Sequence, residues 1–376
     1  MPTLTADAVI VGAGFAGTAT ARHLVRAGVR RVVLLEREPT PGRHASGLNA
    51  GMARQNSIPE RLLPLAVESV AALRHATSDE GIPLFRRTGS LILGDAAAAP
   101  GLREGTRAMR AVGLGASWLD AAAVGERMPL VRDGDFEGGV YCPDDGVVEI
   151  GAALQHLLRL ATTGGTALLT GQALTGVEVA GGRVRAVLTD RERIETPVVV
   201  NAAGAWAGAV GALAGGVPVP LRPCRRHLVL SGPVAGLDPE GPFVWDVSHE
   251  VYFRPERPGL LLSPCDEDEW EPGDVAPDPG ALELLARKLA DHYPRLVSLE
   301  PVRSWAGLRT LTPDGGFAIG RDPQVEGFIW CAGLGGHGMT VSHAAGRLAA
   351  EAVCGGAVRP SCDPARFDTG ARSGPG

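Results

Sequence analysis

The run Gly12-Ala13-Gly14-Phe15-Ala16-Gly17 follows the apolar stretch Ala8–Val11, opens an alanine-rich segment, and is followed nineteen residues beyond Gly17 by Glu36. In this setting the glycine spacing points to a dinucleotide. Gly12 permits a tight turn, Gly14 lets the backbone approach a pyrophosphate, Gly17 allows close helix packing, and Phe15 and Ala16 start a helix whose N-terminus carries partial positive charge. Glu36 can accept hydrogen bonds from a ribose diol, and its charge disfavours a 2′-phosphate. Spacing alone leaves NAD and FAD both open.

A second cluster, Gly333-Leu334-Gly335-Gly336-His337-Gly338, lies between the apolar run Phe328–Cys331 and a helical segment bearing Ala345, Leu348, Ala349 and Ala352 on one face. Four glycines in six positions exceed the needs of one turn. A helix dipole behind this loop would stabilise negative charge in it. The segment REPTPGRHASGLNAGMAR, Arg37 to Arg54, directly follows the ribose acid and has no apolar period. It reads as a surface or cofactor-lining loop, with Ser46 and Asn49 offering short hydrogen-bonding side chains and Ala50 and Gly51 allowing close approach.

These residues need elements to hold them. Ala8–Val11, a helix over Ala16–Ala27 and a strand over Arg31–Glu36 make a βαβ unit. Further helices are predicted over Leu62–Leu73, with Pro64 in the first turn, and over Ile150–Thr163. Strands are predicted over Gly89–Gly94, Gly138–Cys142, Arg226–Ser231, Val251–Arg254 and Leu260–Ser263, which could form one sheet. Leu174–Asp190 reads as a hairpin around Ala180-Gly181-Gly182, leading into a buried strand at Val198–Val200. The acidic segment Asp266–Asp274 reads as a solvated loop. The interleaving predicts two domains built from discontinuous stretches, one binding a cofactor and the other covering it.

Composition sets the outer bounds. With 376 residues, 45% hydrophobic and 21% charged, the chain is expected to fold as about two globular domains. A net charge of −6 makes nucleic acid a poor partner. The six cysteines lack a C-x-x-C pair or a histidine at ligand spacing, so neither a metal site nor a disulfide framework is expected. Asp7 interrupts what would be a signal peptide, and the longest uncharged stretch, Thr196–Leu221, carries Asn201, Pro218 and Pro220. The expectation is no transmembrane segment and a reducing cytoplasm, or the inner membrane face if a quinone accepts the electrons.

GAGFAG with Glu36, HASGLNAG, VVVNAAGAWAG (Val198 to Gly208), YFRPE (Tyr252 to Glu256), AGLRTLTPDG (Ala306 to Gly315) and GFIWCAGLGGHGM (Gly327 to Met339) occur in order. Together they resemble the D-amino-acid oxidase superfamily of FAD enzymes, most closely its D-amino-acid dehydrogenase and D-arginine-dehydrogenase-like branch. The resemblance implies an α/β and α+β fold. An FAD-binding Rossmann-like domain of the glutathione-reductase type (1–82, 146–217, 300–376) would interleave with a substrate domain on a mostly antiparallel β-sheet (83–145, 218–299).

It also implies FAD contacts from Arg37, Val177, Ala203, Gly204, Trp206 and Met339, besides the two glycine loops and the HASGLNAG segment. Arg309 and Tyr252 would hold a substrate carboxylate, with Arg226, or failing it Arg225, as a second guanidinium. The implied reaction is oxidation of an amino acid, D-configured in that branch, by hydride transfer to flavin N5. The imino acid product would hydrolyse to a 2-oxo acid. His337 stands where the D-arginine-dehydrogenase-like sequences have tyrosine, and either touches substrate or caps the loop. His44 resembles the histidine that carries covalent FAD in some relatives, such as dimethylglycine dehydrogenases, and that others keep without the bond.

The cationic branch places an acid in the segment matching Gly81–Ser90, but this chain has Ile82, Leu84, Phe85, Arg86 and Arg87 there. The expected substrate is therefore neutral or apolar, or acidic if Arg86 or Arg87 faces inward. Secondary-amine oxidation of the glycine or sarcosine type, 2-hydroxy-acid oxidation, and an FAD-binding subunit of a larger dehydrogenase complex are the competing readings. Oxygen, a quinone or a protein could accept the electrons, and a monomer and a homo-oligomer are equally compatible with the sequence.

Overall fold

Ala8–Val11 and Val32–Leu35 are buried at every position because they lie inside a parallel sheet covered on both faces. A computed structural model of the chain describes residues 3–78 and 80–368; the Gly-rich tail lies outside them. This six-stranded sheet runs Ala167–Leu169, Val32–Leu35, Ala8–Val11, Val199–Asn201, Phe328–Ala332, Ala318–Arg321. Only the last strand is antiparallel to its neighbour. The helix Phe15–Arg26 follows the first glycine loop and crosses the helix Ser342–Val353 at Gly346. A Cβ on Gly346 would lie 2.5 Å from the carbonyl carbon of Ala19, so the two backbones meet without an intervening side chain.

The expected single sheet from the middle of the chain exists, with eight strands in the order Pro301–Leu311, Arg222–Ser231, Gly259–Ser263, Val251–Glu256, Phe243–Asp246, Ser90–Gly94, Gly138–Cys142, Ser117–Asp120. All pairs are antiparallel except Phe243–Asp246 with Ser90–Gly94. Pro301–Leu311, which the sequence groups with the cofactor-binding stretches, hydrogen-bonds along its length to Arg222–Ser231 instead. One face, with Leu91, Val229, Val244, Phe253 and Leu262, is covered by the helix Pro279–His292. The other carries Leu228, Tyr252 and Leu261 beside Trp245 and Trp305.

The hairpin closes at Gly181 and Gly182, both with positive φ (60° and 73°), between Leu174–Ala180 and Arg183–Thr189. The helix over Ile150–Thr163 is as expected, whereas the one predicted over Leu62–Leu73 continues to Ser78. Among the described residues no helix is long and apolar enough to cross a membrane.

His23 and His343 meet edge-on at 4.6 Å where the two crossing helices pack. Burial, reinforced by His343 and by Arg22, Arg26 and Arg347, pushes His23 down to about 3. The unfolded chain therefore takes up this proton first, so stability present above the unfolded value of about 6.5 is lost as pH falls. Urea titrations between pH 6.5 and 5 are expected to show unfolding free energy declining by ~1.4 kcal/mol per pH unit for each such histidine. His23→Leu should reduce that slope by about one proton; an unchanged slope would remove His23 from the account.

Candidate active site

The C-terminal ends of the parallel strands and the tyrosine-bearing face of the eight-stranded sheet line a common cavity of about 890 Å³. That is at the upper end of the ~300–1,000 Å³ usual for ligand and cofactor sites. Open parallel sheets bind ligands at this edge because loops and helix N-termini converge there.

At the dinucleotide end, Gly12 adopts φ 101°, and a Cβ there would lie 2.5 Å from the carbonyl oxygen of Ala202. Gly17 does not line the cavity: its missing Cβ would overlap the Gly12 carbonyl at 1.9 Å, which makes it the packing glycine. A Cβ on Gly14 would sit 2.7 Å from Ser46 Oγ, and that hydroxyl accepts the Phe15 N–H at 3.0 Å. The first-turn amides of Ala16 and Gly17 have no acceptor within their helix. Glu36 Oε2 accepts the Ala13 N–H and Oε1 the Glu38 N–H, both at 2.9 Å, which fixes the carboxylate at the cavity wall.

The loop after Glu36 folds over the same cavity. Arg37 lies 4.5 Å from the Trp206 ring centre, and His44 lies 4.6 Å from the same ring. His44 Nε2 is 2.9 Å from Glu38 Oε1. Asn49 braces the loop, accepting the Gly51 N–H and donating to the Ser46 carbonyl, both at 2.8 Å. Ala50, Gly51, Ala203, Gly204 and Met339 complete this wall. Val177 does not line it. It pairs with Val187 in the hairpin and packs on the core below the sheet, while Gln172, Ala173 and Leu174 reach the cavity.

The opposite end is cationic. Strand register pairs Arg226 with Gly307 and Cys224 with Arg309, so Arg226 and Arg309 project from one face as diagonal neighbours. Tyr252, two strands further across, is buried on that face, and burial raises its pKa. Arg309 has no carboxylate within ion-pair distance among the described residues; burial, then Arg226, lowers its pKa. Its guanidinium lies against Gly336, whose Cβ would stand 3.1 Å from Cζ. Arg226 donates to Glu267 at 3.3 Å, and its buried Nε has no partner.

His337 sits in the turn of the second glycine loop. Its backbone closes the turn, donating to Leu334 and accepting from Val341, while its ring lines the cavity. Burial, then Arg54 and Arg309, holds the imidazole well below its ordinary pKa and so neutral.

A family model described as FAD dependent oxidoreductase matches residues 7–352. The chain belongs to that family. Membership in the FAD-dependent oxidoreductase family resolves the choice between NAD and FAD that the first glycine loop leaves open. Over 97% of its length the chain is 29% identical to mouse mitochondrial sarcosine dehydrogenase, and over 92% it is 28% identical to the mouse mitochondrial pyruvate dehydrogenase phosphatase regulatory subunit. It spans only 41% of each of those relatives. The fold is that of L-proline dehydrogenase from P. horikoshii, with a TM-score of 0.88, 24% identity, and coverage of 98% of this chain and 99% of that one.

The residues present fit FAD. Gly14 and the first-turn amides suit the pyrophosphate, Glu36 a ribose, and the Gly335–Gly338 loop with Arg54 and His337 surrounds the space for the ring system. Arg54 is the residue that spacing missed. Its guanidinium lies 4.2 Å from the Trp245 ring centre and donates to the carbonyls of Asn56 and Ser57 at 3.0 Å; burial brings its pKa down to about 10. Its only sequence signal is that it closes the small-residue loop.

Four expectations change. Arg86 pairs outward with Glu149 and Glu240 and Arg87 with Asp144, so neither supplies inward charge. Arg225 projects from the face opposite Arg226, reaches Asp268 and Asp278 and lies over Trp270. The acids of 266–274 are not simply solvated: Asp266 holds His227 at 2.6 Å, Glu267 pairs Arg226, and Asp274 pairs Arg43. The second glycine loop is separated from its helix by the turn 338–341, so the dipole acts from one turn behind it.

Gly14→Val would push Ser46 and the helix start into the cradle. The expected outcome is a folded protein, by circular dichroism, that purifies with less than a tenth of the wild-type flavin absorbance. Full flavin content would show that the dinucleotide lies elsewhere.

Proposed function

We propose that this chain uses FAD to oxidise the carbon next to nitrogen in a small amine that carries a carboxylate and a neutral side chain. The observation that carries the reading is Arg309, a guanidinium that faces the cavity beside Tyr252 and Arg226 and has no carboxylate within ion-pair distance among the described residues. Such a group is completed by an anion, and a planar carboxylate meets it with two parallel hydrogen bonds.

When bound, FAD supplies the two-electron acceptor for the substrate C–H bond. The protein's part is placement. Arg309 fixes the carboxylate, the Tyr252 hydroxyl donates to it, and Arg226, steadied by Glu267, adds the second charge. Guanidinium groups of Arg54, Arg226 and Arg309 around one cavity disfavour an ammonium there, and so favour the uncharged amine that oxidation requires. Neutral His337 keeps a lone pair to accept a hydrogen bond from that amine. Leu228, Met52 and Trp245 give the wall between these groups an apolar surface.

Apart from Glu36 at the dinucleotide end, the carboxylates on the cavity wall are paired with cations: Glu267 with Arg226 and Arg222, Asp274 with Arg43, and Glu250 at 3.9 Å from Lys288. This supports a neutral side chain over a cationic one. The likeness to sarcosine dehydrogenase favours an N-methylated amino acid, and the resemblance to the D-amino-acid branch makes a D-amino acid the second choice. The likeness to a phosphatase regulatory subunit raises a different reading, in which FAD is held but no amine is turned over.

Anaerobic mixing with N-methyl amino acids, D- and L-amino acids and 2-hydroxy acids separates these. Bleaching of the flavin by sarcosine or a neutral D-amino acid is expected. Bleaching by none favours the regulatory reading, and preference for D-arginine would overturn the neutral pocket. Arg309→Ala, with flavin content retained, should raise the apparent substrate constant by roughly 30- to 4,000-fold, about 2 to 5 kcal/mol. Near wild-type kinetics would remove Arg309 from the site.

A further inference from the structure

Away from the cavity, three residues distant in sequence converge at the edge of the helix-covered side of the large sheet. Asp135 comes from the loop before Gly138–Cys142, His249 from the turn joining Phe243–Asp246 to Val251–Glu256, and His292 from the last position of Pro279–His292. One ligand-type atom from each lies within 4.8 Å of the other two. None of the three lines the cavity.

We propose that this is a transition-metal site of two imidazoles and one carboxylate, with zinc the ion it suits best. The first argument is spacing. Asp135 Oδ2 is 3.5 Å from His249 Nε2 and 3.4 Å from His292 Nδ1. Ligands bound tetrahedrally at ~2.1 Å to a zinc ion stand about 3.4 Å apart, so both edges already have the separation that coordination demands.

The second argument is the proton on His249. Its Nδ1 lies 2.8 Å from Asp246 Oδ2, a fully buried carboxylate that can only accept. Asp246 is itself fixed by the amides of Ser248 and His249 and by the Tyr293 hydroxyl. The Nδ1 of His249 must therefore carry hydrogen, and in the neutral imidazole that leaves Nε2 with its lone pair towards Asp135. A carboxylate behind a histidine in this way is the arrangement that orients metal-binding imidazoles and raises their basicity.

The third argument is an unmet acceptor. His292 Nδ1 is buried without a hydrogen-bond partner. Its ring stacks on His249 at 3.6 Å with 24° between the planes, so the two in-plane lone pairs run side by side and the His292 ring must swing out of the stack to share an ion with His249. A divalent cation that draws the rings apart in this way would meet both lone pairs and the Asp135 charge together. Asp135 also donates its N–H to the His292 carbonyl at 3.2 Å, so the loop and the helix end are held in place without the ion. Two imidazoles with one carboxylate suit zinc, nickel or copper and not magnesium or calcium. Water would fill the remaining position of the three-ligand centre.

Equilibrium dialysis of the FAD-loaded protein against Zn²⁺, with metal counted by atomic emission and Mg²⁺ as control, tests the assignment. Close to one Zn²⁺ per chain is expected, with no retained Mg²⁺. His292→Ala and Asp135→Asn should each weaken Zn²⁺ binding at least tenfold while flavin content stays the same. Asp135 is 71% exposed, so its variant folds even if the histidine variant does not. Absence of retained Zn²⁺, or retention unchanged in Asp135→Asn, would overturn the site.

Discussion

A positive charge enclosed without a carboxylate partner among the described residues is the constraint around which this molecule is arranged. Arg309 is held by the pairing of Pro301–Leu311 with Arg222–Ser231, and that register sets Arg226 beside it. Removing a guanidinium from water costs several kcal/mol that an anion must offset. The surroundings do not offset it from within: Glu267, the carboxylate whose charge reaches Arg309, bonds Arg226. Burial, reinforced by Arg54 and Arg309, keeps His337 neutral beside it. Four residues from four separate parts of the chain are therefore coupled through one electrostatic condition.

Glycine supplies the complementary condition, close approach. Gly12 and Gly17 bring the first helix onto its strand, and Gly336 lets Arg309 lie flat beneath the second loop. In each case a methyl group would displace backbone or the guanidinium, so the requirement is steric and local. That is why these positions were readable from spacing alone, whereas Arg54 was not: nothing in its neighbours' identities distinguishes a cavity arginine from a surface one.

The legible parts share a cause. Ile150–Thr163, the hairpin at Gly181-Gly182 and the strand Gly138–Cys142 follow from periodicity and turn chemistry, which act over a few residues. The misplaced parts depend on distant partners. The segment 301–311 is grouped by sequence with the cofactor-binding stretches but pairs with Arg222–Ser231, and Val177, which the resemblance implies touches FAD, pairs with Val187 in the hairpin. The pairing of 266–274 acids with particular arginines, and the meeting of Asp135, His249 and His292, are likewise products of topology that no local pattern announces.

The strand order of the parallel sheet has a consequence for how the molecule is made. Val199–Asn201 sits between Ala8–Val11 and Phe328–Ala332, so the central strand acquires its second neighbour only after more than three hundred residues have been synthesised. Until then an apolar strand edge stays open on the ribosome, a template for pairing with other nascent chains. Long-range closure of this kind is slow. Production at low temperature, or with holdase chaperones in excess, should matter more for this chain than for one whose sheet is completed in sequence order.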